Sequence, residues 1–270
     1  YYFKLPIYMQ RGNTKSLIVY INHRNKILNI TNSGNDNLSR YILPKYLSFS
    51  EELKITWLLL KDAIKILFRK NKSITEKKIN FQAFVESLSP ASHFNYRLAN
   101  QVEKLTKKFQ PKNIFTTFEG HPWERLIYFS TKKIRPEINN IAFQHSFVFN
   151  KQHAIKRSLG YTYEPDFVFC SGIDGKEKLK NSKSFSNKKI FVIGTERILS
   201  RSSEFKPKVK RDSILILPEG DLIECYPLVD LAYKLSNLKP ELKFILRFHP
   251  ITDIEKLKKA KTYLKKPSKN

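Results

Sequence analysis

The chain has 270 residues, of which 41% are hydrophobic and 13% aromatic, enough for one large core or two ordinary ones, so disorder is not the default reading. Fifty Lys and Arg against 24 Asp and Glu give a formal charge of +26. The basic residues are spread along the whole chain without an RNP-like aromatic string, helix-turn-helix pattern or zinc knuckle, which disfavours nucleic acid as a partner relative to an anionic membrane surface or an anionic sugar. Lys61, Asp62 and Lys65 interrupt the apolar run from Ile55 to Phe68, so that run predicts an amphipathic helix and not a membrane span. The chain opens on Tyr-Tyr without a Met, and residues are expected to precede Tyr1. Cys170 and Cys225 have apolar neighbours and no CxxC spacing. They read as reduced, buried thiols in a cytoplasmic protein.

Leu17 to Ile21 and Lys26 to Ile30 are short β-rich runs on either side of an Asn-His-Arg-Asn turn signal. Ser50 to Lys70 is predicted helical, with Ser48 or Ser50 as cap and Glu51 and Glu52 in the first turn. Apolar spacing at Phe94, Leu98, Val102, Leu105 and Phe109 predicts a helix over residues 92–109. Asn113 to Phe118 is a predicted strand, Trp123 to Lys132 a helix, and Asn140 to Phe143, Asp166 to Cys170 and Ile190 to Ile193 further strands. Each strand ends in a polar or glycine-containing turn. That rhythm predicts α/β architecture with a parallel sheet. Ser200 to Asp212 breaks it and reads as a linker, so residues 1–200 and 201–270 are expected to form separate domains. From Ile214 the pattern restarts: an apolar strand ends in Pro218-Glu219-Gly220, an amphipathic stretch follows, and a second apolar strand ends in Arg247-Phe248-His249-Pro250. A βαβ unit makes those strands parallel and puts both endings at the same rim, where such sheets bind ligands. Pro227 favours a helix beginning near Tyr226 over one beginning at Asp221. The second domain is expected to continue past Asn270.

Candidate chemistry sits at the strand ends. In Thr116 to Glu124, TTFEGHPWE, Glu119 and His121 are candidates for a general base and a substrate contact, while Glu119 or Glu124 could cap the next helix, with Pro122 in its first turn and Trp123 in the core. His145 after the next strand is a candidate ligand for an acceptor hydroxyl or a phosphate, and Ser146 a candidate cap. Gly172 and Gly194 read as turn glycines. Neither GxGxxG nor GxxxxGK[ST] occurs, and no histidine pair has HxxxH or HExxH spacing, so no metal and no cofactor is predicted. His23, His93 and His153 have no strand-end placement and read as surface or core residues. On the second domain, His249 could hydrogen-bond or protonate a departing phosphate, and Arg247 could add charge. Gly220 permits close approach to an anion at the helix start, and Glu224 could accept from ribose hydroxyls.

At these residues the chain resembles bacterial surface-polysaccharide glycosyltransferases of the GT-B type. His249-Pro250 looks like the His-Pro motif of CMP-sugar users, the bacterial sialyltransferases and capsule Kdo transferases. Glu119-Gly120 is similar in placement to the acidic-Gly motif that holds their catalytic base. The resemblance spans roughly residues 111–250. It implies two Rossmann-like domains facing across a cleft, the second incomplete here, with a Ser/Thr-rich phosphate loop beyond Asn270. It further implies transfer of a sugar from a nucleotide-sugar donor, with CMP the expected nucleotide, to a glycan or lipid-linked glycan acceptor. Glu119 or His121 would be the base and His249 the phosphate contact. Glu219, Gly220, Glu224, Arg247 and Pro250 would lie around the donor, and His145 and Ser146 on the acceptor side. The expected location is the cytoplasm or the inner face of the membrane. Two alternatives stay open: a transferase moving a polyol phosphate from a CDP-linked donor, and a non-catalytic basic α/β module binding anionic polymer or nucleic acid.

Overall fold

A computed structural model describes residues 14–21, 38–70, 73–194, 212–218, 220–250 and 252–261. The chain divides into two compact units, Tyr1–Ser200 and Arg201–Asn270. In the first unit β1 (Ser16–Tyr20) pairs with β2 (Leu38–Ile42), and the pairing is parallel. The sequence pattern missed β2, a five-residue strand with Ser39 and Arg40 inside it, and the predicted run Lys26 to Ile30 lies outside the described residues. Parallel neighbours need a crossover and cannot be joined by a tight turn.

Three helices follow. In α1 (Phe49–Leu67) the Ser48 backbone N–H and hydroxyl donate to the Glu51 carboxylate at 3.2 and 2.7 Å, fixing the helix start. In α2 (Ile74–Ser87) the Ser73 hydroxyl accepts the Glu76 N–H. In α3 (Pro90–Phe109) Ser89 does the same for Ser92, and Pro90 occupies the first turn, where its missing N–H costs nothing. Arg97 of α3 grips Glu52 of α1 through two hydrogen bonds of 2.6 and 3.0 Å, and His93 lies 3.4 Å from the same carboxylate.

The centre of the unit is a parallel sheet in the order β3 (Asn113–Thr117), β4 (Asn139–Gln144), β5 (Phe167–Cys170), β6 (Lys189–Val192). Helix α4 (Pro122–Ile134) connects β3 to β4. The single turn α5 (His153–Lys156) lies between β4 and β5, and α6 (Ile173–Lys180) between β5 and β6. Thr116, Ala142, Val168 and Ile190 line up across the sheet in register. Ala142, Val168 and Ile190 belong to the core with Leu98, Phe118, Ile127 and Tyr128. Burial of Asn140 through Gln144 on both faces marks β4 as a central strand. Because the four strands run parallel, the residues after each one fall on the same edge of the sheet. A Rossmann-like α/β fold is compatible with this arrangement.

The second unit contains β7 (Ser213–Ile216), α7 (Leu222–Leu238), β8 (Lys243–Leu246) and α8 (Ile254–Ala260). Strands β7 and β8 are parallel, with Ile216 opposite Leu246, and Cys225, Val229 and Leu257 form a small core with Leu222, Tyr226, Leu246 and Phe248. Helix α7 begins at Leu222, not near Tyr226: the Asp221 carboxylate accepts the Ile223 N–H at 2.9 Å, and Pro227 is carried inside the helix. The cap and the burial of Cys225 and Val229 outweigh the one hydrogen bond the proline forgoes. Among the described residues no helix is long and apolar enough to cross a membrane.

Candidate active site

At the end of β3 the chain turns through Phe118, Glu119, Gly120 and His121 into α4. The carboxylate that shapes this turn is that of Glu124, the third residue of the helix. It accepts the backbone N–H groups of Glu119 at 3.1 Å, Gly120 at 2.8 Å and His121 at 2.8 Å, and the side chain is fully buried. Burial pushes its pKa up to about 8 against the pull of those donors. Gly120 takes φ +84°, and a Cβ there would lie 2.4 Å from the backbone at Ala154 and Ile155. No other residue type fits both the conformation and the gap. Arg125, 2% exposed, donates from Nη2 to the carbonyls of Ala154 and Arg157 at 3.0 Å, and its guanidinium lies over the Phe118 ring. Burial lowers its pKa. Glu124, Gly120 and Arg125 thus lock the β3 turn against α5, and the turn presents Glu119 rather than flexing around it.

Glu119 is caught between two imidazoles. Its Oε2 lies 3.1 Å from His121 Nε2 and its Oε1 3.4 Å from His145 Nε2. The His121 contact is a hydrogen bond, in which a protonated Nε2 donates to the carboxylate oxygen. The side chains are graded in exposure, His121 53%, Glu119 30% and His145 10%, so the carboxylate is reachable from solvent with a shielded ring behind it. His121 stacks on the half-buried Trp123, with ring centroids 6.4 Å apart, and His145 packs near Phe143. Chemically, such an arrangement can take a proton from a hydroxyl at the open side of Glu119, with the imidazoles orienting the carboxylate. The expected pair, Glu119 and His121, is therefore together, and His145 joins it from the neighbouring strand. Ser146 does not. No helix begins there; residues 145–152 form a loop, α5 is capped at Gln152, and the Ser146 carbonyl accepts from the Gln144 amide. Trp123 sits against the core and Pro122 in the first turn as expected.

On the second unit, the register of β7 against β8 brings the two loops to one edge, and the Thr252 hydroxyl reaches the Gly220 carbonyl at 3.5 Å. Thr252, which the sequence pattern did not single out, is buried, and its N–H closes the turn onto the His249 carbonyl at 2.9 Å. His249, Pro250, Arg247 and Glu224 are exposed around this edge, Glu224 in the first turn of α7. Arg247 and His249 lie just past the end of β8, and the Arg247 N–H donates to Ile216, extending the ladder by one bond. Glu219 lies outside the described residues.

His93 belongs to the Glu52–Arg97 cluster, His153 opens α5, and His23 is outside the described residues. Cys170 and Cys225 are free and buried, and burial pushes the Cys170 thiol up to about 12, too high for a thiolate nucleophile. Gly194 takes φ +80°, whereas Gly172 is extended, a conformation open to any residue. Among the described residues no group of three or more His, Cys, Asp and Glu is placed to hold a metal ion. No known protein family matches the sequence, and no curated protein matches it.

Proposed function

We propose that the protein is a glycosyltransferase of surface-polysaccharide synthesis that uses a nucleotide-activated sugar. The observation that carries this reading is the Glu119 carboxylate, fixed at the edge of a parallel sheet and bracketed by His121 and His145. In the proposed reaction Glu119 removes the proton from an acceptor hydroxyl as the oxygen attacks the sugar's anomeric carbon. The bond from that carbon to the donor phosphate breaks, and the nucleotide leaves with the bonding electrons. His121 and His145 keep the base oriented. His249, with Arg247, stabilises the negative charge on the leaving phosphate, and Gly220 and Glu224 lie beside the nucleoside. An acidic sugar carried on CMP is the donor proposed. The site residues and the charge of +26 both favour an anionic substrate.

Thermal shift of the protein with CMP, CDP, UDP, GDP and RNA tests the reading. Stabilisation by CMP that vanishes in His249→Ala is the expected result. Stabilisation by CDP with a polyol-phosphate donor turned over would move the protein to the polyol-phosphate transferases. Stabilisation by RNA alone, lost as salt is raised, would exclude a transferase and leave a basic binding module.

A further inference from the structure

Helix α1 has two apolar faces, and the described residues cover only one. Ile55, Leu59 and Ala63 turn inward at 6%, 5% and 0% exposure. On the other side Phe49, Leu53, Trp57, Leu60, Ile64 and the C-cap residue Phe68 recur every three or four residues and so form one stripe along the helix. Their exposures are 79%, 52%, 70%, 38%, 44% and 78%. A surface helix ordinarily turns polar residues to water at these positions. Lys54, Lys61 and Lys65, all exposed, follow one another along a single border of the stripe, and Arg69 and Lys70 extend the positive charge past the helix end. Leu53, Lys54, Trp57, Leu58 and Lys61 line a shallow depression on this side. The helix's acidic residues take up the charge of only one lysine of this border, Lys65. Glu51 is paired with Lys104 and Glu52 with Arg97, both on α3, and Asp62 lies beside Lys65.

We infer that this face of α1 docks the protein on an anionic lipid surface, with the helix lying in the plane of the headgroups. The stripe is continuous, but charges flank it and the helix is too polar to cross a bilayer, which is the pattern of an interfacial helix. The indole of Trp57 is suited to the headgroup level. The lysines can lay their stems along the stripe and reach anionic headgroups with their ammonium groups. A second copy of the chain is a poorer occupant, because each carries a charge of +26 and would bring another lysine border to the contact. The inference rests on α1 alone and is independent of the proposed transferase chemistry.

Pelleting of the full chain with vesicles of phosphatidylcholine, alone or mixed with phosphatidylglycerol, tests it. A strongly basic chain is drawn to anionic vesicles in any case, so the decisive comparison is between variants. One carries Leu53→Ser and Trp57→Ser; another carries Lys54→Gln, Lys61→Gln and Lys65→Gln. The lysine variant is expected to lose on the order of a hundredfold in affinity for the mixed vesicles, and the apolar variant to lose retention at raised salt. All the substituted residues are exposed, and an unchanged melting temperature checks that each variant folds. Should the apolar variant fold poorly, the lysine variant alone decides. Vesicle binding equal to wild type in a folded variant of either kind would overturn the inference. So would a wild-type dimer in sedimentation that the apolar variant converts to monomer while vesicle binding is unchanged.

Discussion

Glu124 is shut away from water and yet receives three backbone N–H groups, and the β3 turn depends on it. Glu124→Ala would leave those donors unpaired, at a cost of about 3 kcal/mol or more, read as a fall in the urea midpoint. The pH dependence has a definite sign. The folded carboxyl titrates near 8 and an unperturbed one near 4.5, so the folded state holds a proton that the unfolded chain has released. That contribution is fully present below the lower value and is lost as pH rises through the upper one, with a slope of at most about 1.4 kcal/mol per pH unit. Glu124→Gln, which cannot ionise, should flatten urea-derived stability across this window relative to wild type; parallel curves for the two proteins would refute the assignment. Gly120→Ala meets both the positive φ and the backbone at Ala154, and a loss of about 3 kcal/mol or more is expected from strain and displacement of α5. Glu119→Gln is the contrasting case. It removes the proposed base while leaving the Glu124 network whole, so the melting temperature should hold while transfer falls by about two to four orders of magnitude. Glu119 and His121 could be found from their place after a strand. Glu124 read as a helix cap, which it is, but its complete burial and the buried Arg125 beside it left no mark on the pattern, because both residues fall within an ordinary helical first turn.

At the scale of elements, the strands and helices with a strong period were legible within a few residues: α1, α3, β3, α4 and β4 through β6 all lie where the apolar spacing puts them. Helix α2 was missed because Ile74, Ile79, Phe81 and Val85 are all exposed and none of its residues is buried, so it lacks the single apolar face that a periodic search detects. Its start is set instead by the Ser73 cap. Strand β2 was missed because a parallel partner found by crossover has no turn signal beside it. Pro227 misplaced the start of α7, since the sequence rule weighs proline and cannot see that Cys225 and Val229 anchor the turns around it. Pro227→Ala should restore the N–H that the helix lacks and raise the stability of the second unit by about 1–3 kcal/mol. Hydrogen exchange of α7 amides would show it as slower exchange, and unchanged or faster exchange would mean that the proline is already accommodated at no cost.

Across the whole molecule, the alternation of strand and helix identified α/β architecture with parallel strands, and the same alternation explains why polar residues after successive strands gather at one edge. Pairing of Glu119 with His145 follows from that topology: the residues are far apart in sequence but follow neighbouring strands β3 and β4. Within the second unit the contact of Thr252 with Gly220 has the same origin, although nothing in the local sequence distinguishes that threonine from a surface residue. The charge of +26 was visible at once. That Lys54, Lys61 and Lys65 border an exposed apolar stripe on α1 emerges only when burial shows which helix face is already covered. In the proposed reaction a nucleotide leaves as a sugar is transferred, with Glu119 as base and His249 at the departing phosphate. Phosphorus NMR of a CMP-activated acidic sugar, incubated with the protein and a glycan acceptor, follows that departure. Acceptor-dependent appearance of free CMP is expected, lost in Glu119→Gln and in His249→Ala while both variants stay folded; CMP release undiminished in Glu119→Gln would refute the proposed base.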